Sequence, residues 1–195
     1  MLVRELMTPD PVTVTPATRV KTALVLLAKH QITSMPVLDR DGLTGVVSEA
    51  DLIRDLVHED PRSHELPLDA SWPDRPSTVG EVMTRHAITV HPDTELATAV
   101  ELITSTTIKS VPVVDHDGVV VGMLSRSDVV RVLARADEEL AREVDHMLAA
   151  VGLEDWVAEV TDGTVSLTGP EDSTESALAH LVAATVPGVV DVVRT

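Results

Sequence analysis

The sequence predicts an α+β fold: two copies of a β-α-β-β-α unit, then a smaller α-β-β-α-β unit. Three observations predict it. The first is an internal repeat, in which Val3-Arg4-Glu5-Leu6-Met7-Thr8 matches Val79-Gly80-Glu81-Val82-Met83-Thr84 at a shift of 76 residues. The second is a strand-to-helix stretch, Gly45-Val46-Val47-Ser48-Glu49-Ala50-Asp51, that returns as Gly122-Met123-Leu124-Ser125-Arg126-Ser127-Asp128. The third is a change of pattern after Gly152, where two short β-prone runs flank Asp162-Gly163.

Each copy has the same local grammar. Val12-Thr13-Val14 and Ile88-Thr89-Val90 are short β-prone runs. Pro16 and Pro92 precede helical patterns that run to about His30 and Thr106. Ala23, Leu24, Leu27 and Ala99, Val100, Ile103 form their core-facing stripes. Met35-Pro36-Val37-Leu38 and Val111-Pro112-Val113-Val114 are strands. The turn signals Asp41-Gly42 and Asp117-Gly118 fold them into hairpins with Leu43 to Val47 and Val119 to Leu124. One residue inserted in the second copy raises the shift by one, so Gly45, Ser48 and Asp51 align with Gly122, Ser125 and Asp128. A second helix follows, from Ser48 to about Val57 and from Ser125 to about Arg135.

These patterns divide the chain into residues 1–60 (first copy), 61–78 (linker), 79–135 (second copy) and 136–195 (third unit). The stretch His58 to Ser77 is rich in Pro and charge, and it is long for a loop. Trp72 within it reads as an anchor that packs the linker onto a domain; a ligand-facing role is the alternative. In the third unit a helix spans Ala136 to Leu148 and can continue from the second copy. A hairpin joins Trp156–Val160 to Thr164–Thr168. An amphipathic helix, Ser173 to Thr185, carries Ala177, Leu178, Leu181 and Val182 on one side. A last strand covers Val189 to Val193.

Composition bounds the function. The 195-residue chain is 44% hydrophobic but only 1% aromatic, so its core is built from aliphatic side chains and offers almost nothing for stacking on nucleic acid. A net charge of −17 disfavours nucleic acid and anionic membranes as partners. The absence of Cys removes disulfides, thiolate metal sites and a Cys nucleophile. No basic-then-apolar leader opens the chain and no apolar run reaches the roughly 18 residues of a membrane span, so a cytoplasmic protein is expected.

Ser48 with Asp51, and Ser125 with Asp128, have the spacing of a capping box, a local device that starts a helix. Three features argue for more. Each pair follows a strand through a Gly, each occurs at the same place in a repeat, and each copy adds a Ser-x-Pro element, Ser34-Met35-Pro36 and Ser110-Val111-Pro112. Amides at a helix start favour an anion such as phosphate, and a Ser hydroxyl can join them. An ionised Asp only accepts hydrogen bonds, so it can take both hydroxyls of a ribose. Backbone around Met35-Pro36 and Val111-Pro112 can border a slot for a flat base. None of these groups suggests bond breaking, so no catalytic residue is assigned.

Together, the Gly-apolar-apolar-Ser-x-x-Asp stretches, the apolar-Pro strands and the Met-Thr openings make residues 1 to about 133 resemble a tandem pair of CBS domains. The resemblance implies two repeats packed about a pseudo-twofold axis, with clefts that take adenosine-containing ligands. It implies that Asp51 and Asp128 hold ribose, with Ser48 and Ser125 near ribose or phosphate. It also implies a homodimer. The segment carrying Asp162-Gly163-Thr164-Val165-Ser166-Leu167-Thr168-Gly169 and Pro187-Gly188-Val189-Val190-Asp191-Val192 resembles a BON domain, a class associated with phospholipid contact. In this acidic chain a protein-interaction or output role is preferred.

The copies are not equivalent. Glu49 becomes Arg126, Thr33 becomes Lys109 and Asp10 becomes His86. The second site therefore gathers positive charge, and Arg126 and Lys109 are its candidate phosphate partners, with solvated surface cations the alternative. His58, Glu59, Asp60 and His64, like His86 and His91, lack metal-ligand spacing, so no metal is expected. The expected function is a non-enzymatic sensor that binds an adenine nucleotide as regulatory ligand, requires no cofactor, and signals to its C-terminal domain or to another protein. The alternative is a stress-related scaffold with vestigial clefts that acts through the BON-like domain.

Overall fold

The computed structural model describes residues 1–54, 76–170 and 173–194. A 3-10 turn, Val3–Glu5, opens the chain. The first copy contributes β1 (Thr8–Pro9), α1 (Val20–His30), β2 (Ser34–Asp39), β3 (Gly42–Ser48) and α2 (Glu49–Ile53). The second contributes α3 (Val79–Val82), β4 (Thr84–Arg85), α4 (Leu96–Ser105), β5 (Ser110–Val114), β6 (Val120–Ser125) and α5 (Arg126–Leu133). The C-terminal segment is α6 (Asp137–Ala150), β7 (Val157–Thr161), β8 (Thr164–Thr168), α7 (Ser173–Thr185) and β9 (Asp191–Arg194). The linker, Trp72 and the His58–His64 cluster fall outside the described residues, as does any extension of α2 to Val57.

The chain forms two compact units that do not follow the repeat boundaries. One comprises residues 8–92 and 110–124, the other residues 1–7, 93–109 and 125–195.

The first unit holds two three-stranded sheets, ordered β2-β3-β4 and β1-β6-β5. The copies exchange their short opening strands. Thr8 and Pro9 pair with Met123 and Gly122, while Thr84 and Arg85 pair with Val46 and Gly45. Each pairing is the other transposed by the repeat shift, so within this unit the two copies are related as by a twofold axis. Gly45 is required at the crossing, because a Cβ there would lie 2.3 Å from the Thr84 carbonyl oxygen. Beneath the first sheet Val14, Val20, Ala23, Leu27, Met35, Val37, Val47 and Leu52 form a continuous core.

The β-prone runs at Val12–Val14 and Ile88–Val90 form only single parallel bridges, Val14 to Val37 and Val90 to Val113. The reason is local. Val14 and Val90 donate to the carbonyls of Pro36 and Pro112 and accept from the amides of Leu38 and Val114, but the prolines have no N–H to extend the ladder back toward Val12 and Ile88.

The opening segments repeat this reciprocity. In one unit Val79 N–H donates to Thr18 and Val20 N–H to Ser77; in the other Val3 N–H donates to Thr94 and Leu96 N–H to Met1. The shared turn sequences thus stitch each copy's start to the other copy's first helix.

The C-terminal segment has its own core, in which Leu140, Val144 and Leu148 of α6 meet Val165 and Leu167 of β8 and Val182 of α7. Its sheet is ordered β7-β8-β9, with the β7–β8 hairpin antiparallel and β9 parallel to β8. Asp162 (φ 49°) and Gly163 (φ 74°) make the hairpin turn.

Two expectations are corrected here. α6 does not continue α5: the chain breaks at Ala134–Ala136, and Asp137 at the start of α6 accepts from the amides of Asp162 (2.8 Å) and Gly163 (2.9 Å). On α7 the buried face is Ala179, Val182 and Ala183, continued by Val186 just past its end, whereas Leu178 and Leu181 are 40% and 63% exposed. This helix is apolar almost all round, so periodicity could not select its inner face; the small alanines did, by allowing close approach.

Candidate ligand-binding site

β3 ends on Ser48 and α2 begins at Glu49; β6 ends on Ser125 and α5 begins at Arg126. Both Ser residues are extended N-caps, and both capping boxes are complete. The Asp51 amide donates to Ser48 Oγ (3.3 Å), while Ser48 N and Oγ donate to Asp51 Oδ2 (2.9 and 2.7 Å). In the second copy Ser125 N and Oγ donate to Asp128 Oδ2 at 2.8 and 2.6 Å. The capping box is therefore what aims the carboxylate. It occupies Oδ2 and leaves the Oδ1 side for other partners.

Those partners include an arginine one helical turn on. Arg131 lies 3.1 Å from Asp128 Oδ1 and Arg54 lies 3.8 Å from Asp51 Oδ1. Both guanidinium groups are largely exposed, while the carboxylates they approach are not: Asp128 is 4% exposed and the Asp51 side chain 15%. Sequence reasoning missed these arginines. The signal was there, because Asp-x-x-Arg closes both motifs.

The amides at the helix starts are mostly committed. Glu49 N–H donates to the Thr33 carbonyl and Arg126 N–H to the Lys109 carbonyl, and the third amide of each helix goes to its Ser. The Ser hydroxyl protons point at the Asp. The arrangement is thus built around a hydroxyl-accepting carboxylate more than around an anion cradle.

Within the first unit the structure brings Ser34, Met35, Pro36 and Ser48 together. Ser34 pairs with Ser48, Met35 with Val47 and Pro36 with Val46 along the hairpin, and Asp51 follows one turn later. The Ser110 hydroxyl reaches the Ser34 hydroxyl at 2.5 Å. Met35 and Val111 are fully buried, so only the backbone of these strands can border a ligand. In the second unit Ser125, Arg126 and Asp128 follow one another in the chain, and the hydrogen bond from Arg126 N–H to the Lys109 carbonyl brings Lys109 beside them.

Arg126 has a structural task. Its Nε donates to the Ile103 carbonyl (2.8 Å), and its Nη2 donates to Thr106 (3.0 Å) and Ile108 (3.1 Å). It thereby satisfies one carbonyl in the last turn of α4 and two in the loop that follows it. The third asymmetric pair, Asp10 and His86, occupies equivalent left-handed turns with φ of 47° and 53°. His91 and His116 stack at 5.4 Å. Among the described residues no group of three or more His, Asp or Glu is placed to hold a metal ion, and no helix is long and apolar enough to cross a membrane.

Exchanged opening strands and a doubled Ser-x-x-Asp helix start define a paired-repeat module. Residues 3–58 and 79–135 match the CBS domain family, and the chain belongs to that family. Chloroplastic CBSX1 of Arabidopsis thaliana is 34% identical over 134 residues, which are 60% of this chain and 57% of CBSX1. The structure of CBSX2 in complex with AMP is similar at a TM-score of 0.54 and 34% identity, covering 67% of this chain and 93% of that one. A CBS domain pair in complex with 5-methylthioadenosine and S-adenosyl-L-methionine gives a TM-score of 0.55 at 26% identity, covering 67% and 94%.

Proposed function

We propose that the chain is a non-enzymatic regulatory protein that binds adenosine-containing small molecules through its two Ser-x-x-Asp motifs. The observation that carries this reading is the pair of shielded carboxylates, Asp51 and Asp128, each with Oδ2 pinned by its own Ser and Oδ1 directed away from it. An acceptor-only group so oriented suits the two hydroxyls of a ribose. The AMP and S-adenosyl-L-methionine complexes of related CBS pairs support it. Arg131 and Arg54 are the nearest guanidinium groups for a phosphate, with Lys109 a further cation at the second motif. Exposed Ile53, Val130 and Leu133 on α2 and α5 support homodimer formation through these helices.

The segment 136–195 is read as a BON-like output domain that contacts a partner protein. A second reading, a scaffold acting mainly through this domain, draws on the exposed Leu178 and Leu181 of α7. Calorimetry separates the two. Titration of the purified chain with AMP, ATP and S-adenosyl-L-methionine gives saturable binding under the first reading, abolished in the Asp51→Ala/Asp128→Ala double variant. No heat from any of the three at millimolar concentration overturns it in favour of the scaffold.

A further inference from the structure

Helix α5 is fastened at both ends within one compact unit. At its start Arg126 ties it to carbonyls of the last turn of α4 and of the loop that follows, and the Asp128 capping box closes its first turn. Just past its end, Arg135 reaches into the C-terminal segment. Its Nη1 donates to the Pro187 carbonyl (2.7 Å), and its Nη2 donates to Glu139 Oε1 (2.8 Å) and Glu143 Oε2 (2.5 Å). The hydrogen bond to Glu143, above all, pushes the guanidinium above its already high range, so it stays charged. Beside it Gly188 (φ +104°) lies against the same helix end. A Cβ there would come within 2.9 Å of the Val132 carbonyl oxygen and of Leu140 Cδ2. The end of α5, the start of α6 and the α7–β9 turn therefore meet at one side chain.

We propose that Arg135 is a latch coupling the Asp128 motif to the C-terminal segment, so that the second motif, and not the first, is the one this segment senses. The proposal rests on reading Asp128 as a ligand group. An eight-residue helix is about 12 Å long and transmits a displacement of its first turn to its last. The residue of the first copy aligned with Arg135 is His58, a different side chain, and the C-terminal segment follows the second copy in the chain. Glu139 and Glu143 are more exposed than Arg135, so opening the latch leaves both carboxylates solvated. A ligand that binds the closed and the open arrangement with different affinity at Asp128 shifts the balance at the other end.

The test is amide hydrogen exchange of residues 186–190 in the full chain, first without ligand. Asp128→Asn weakens the capping box and raises exchange in this turn by about threefold or more, whereas Asp51→Asn leaves it unchanged. Arg135→Gln raises it directly and removes its response to Asp128→Asn; Gly188→Ala opens the same joint from the other side. If Asp128→Asn leaves the turn unchanged while the helical circular dichroism is intact, the coupling is wrong. Calorimetry with AMP and ATP on the same proteins reports separately on the ligand reading. Binding that protects residues 186–190 in wild type but not in Arg135→Gln supports both. Binding that alters the turn equally in both overturns the latch. No binding, with the ligand-free coupling intact, overturns the ligand reading and not the coupling.

Discussion

The hydroxyls of Ser34 and Ser110 lie 2.5 Å apart in the interior of one compact unit, and they are the same position in the two copies. A single hydrogen bond thus joins the repeats where their exchange maps each Ser onto the other. Both residues are buried, so water cannot replace a lost partner. Ser34→Ala or Ser110→Ala alone strands one hydroxyl and destabilises by about 1–3 kcal/mol. The double Ala variant loses less than the sum of the two, because no polar group is left unpaired. Urea unfolding of the three variants completes the cycle, and strictly additive losses would show that the hydroxyls act independently.

The division of labour among the motif cations gives the second prediction. Arg126 bonds three carbonyls at the end of α4, so Arg126→Ala lowers stability by about 1.5–3 kcal/mol, and Arg126→Lys fails to restore it because an ammonium cannot span the three. Arg131 is exposed beside the Asp128 carboxylate. Arg131→Ala therefore leaves stability within about 0.5 kcal/mol of wild type. It weakens ATP binding while leaving adenosine binding unchanged. Thermal unfolding with calorimetry on both variants checks this. An Arg126→Ala protein that is fully stable but loses ATP affinity reverses the assignment.

Much of this arrangement was legible in the sequence, for a physical reason. Core periodicity and turn chemistry are local, so Ala23, Leu27, Ala99 and Ile103 fell on the buried faces of α1 and α4, and the Asp-Gly pairs marked their hairpins. Long-range consequences were not legible. Arg126 reads as a free cation at a helix start until the chain returns the end of α4 to within 3 Å of it. The exchange of β1 and β4 leaves its trace in Gly45 and its repeat-mate Gly122, and the need of Gly45 for a bare Cα becomes visible only when Thr84 crosses it. The α7 face was misread because Leu178 and Val182 differ in surroundings, not in hydrophobicity.

Glu81 supplies a pH-dependent element. Its carboxylate accepts from Thr78 Oγ1 (2.7 Å), Ser77 N (3.0 Å) and Ser77 Oγ (3.1 Å). These bonds, that from Thr78 foremost, hold its pKa below the usual Glu value. A depressed folded-state pKa contributes stability above the unfolded value and loses it as pH falls through the folded one. Below that point the second copy's opening turn loosens. Carboxyl-detected NMR titration shows Glu81 ionising at lower pH than an ordinary Glu, and Ser77 amide exchange rises over the same window. In Glu81→Gln the exchange is already raised and flat across it.

The packing of Trp156 against Gly169 sets the last prediction. A Cβ on Gly169 would fall 2.3 Å from Trp156 Cδ2 and under 3 Å from two further ring carbons. The contact is with the body of a rigid ring that is itself 4% exposed in the C-terminal core, so neither side can yield cheaply. Gly169→Ala accordingly destabilises by about 1–3 kcal/mol through forced movement of the indole. The indole Nε1 is buried and has no hydrogen-bond partner, so Trp156→Phe keeps an aromatic ring, smaller than the indole, and removes an unpaired donor. It therefore costs less than the ~3–5 kcal/mol of a Trp-to-Ala truncation. Fluorescence in a Trp72→Phe background isolates Trp156. Gly169→Ala shifts its emission to the red as the ring is displaced toward water, and an unshifted spectrum at wild-type stability would show that the strand, not the indole, absorbs the added methyl.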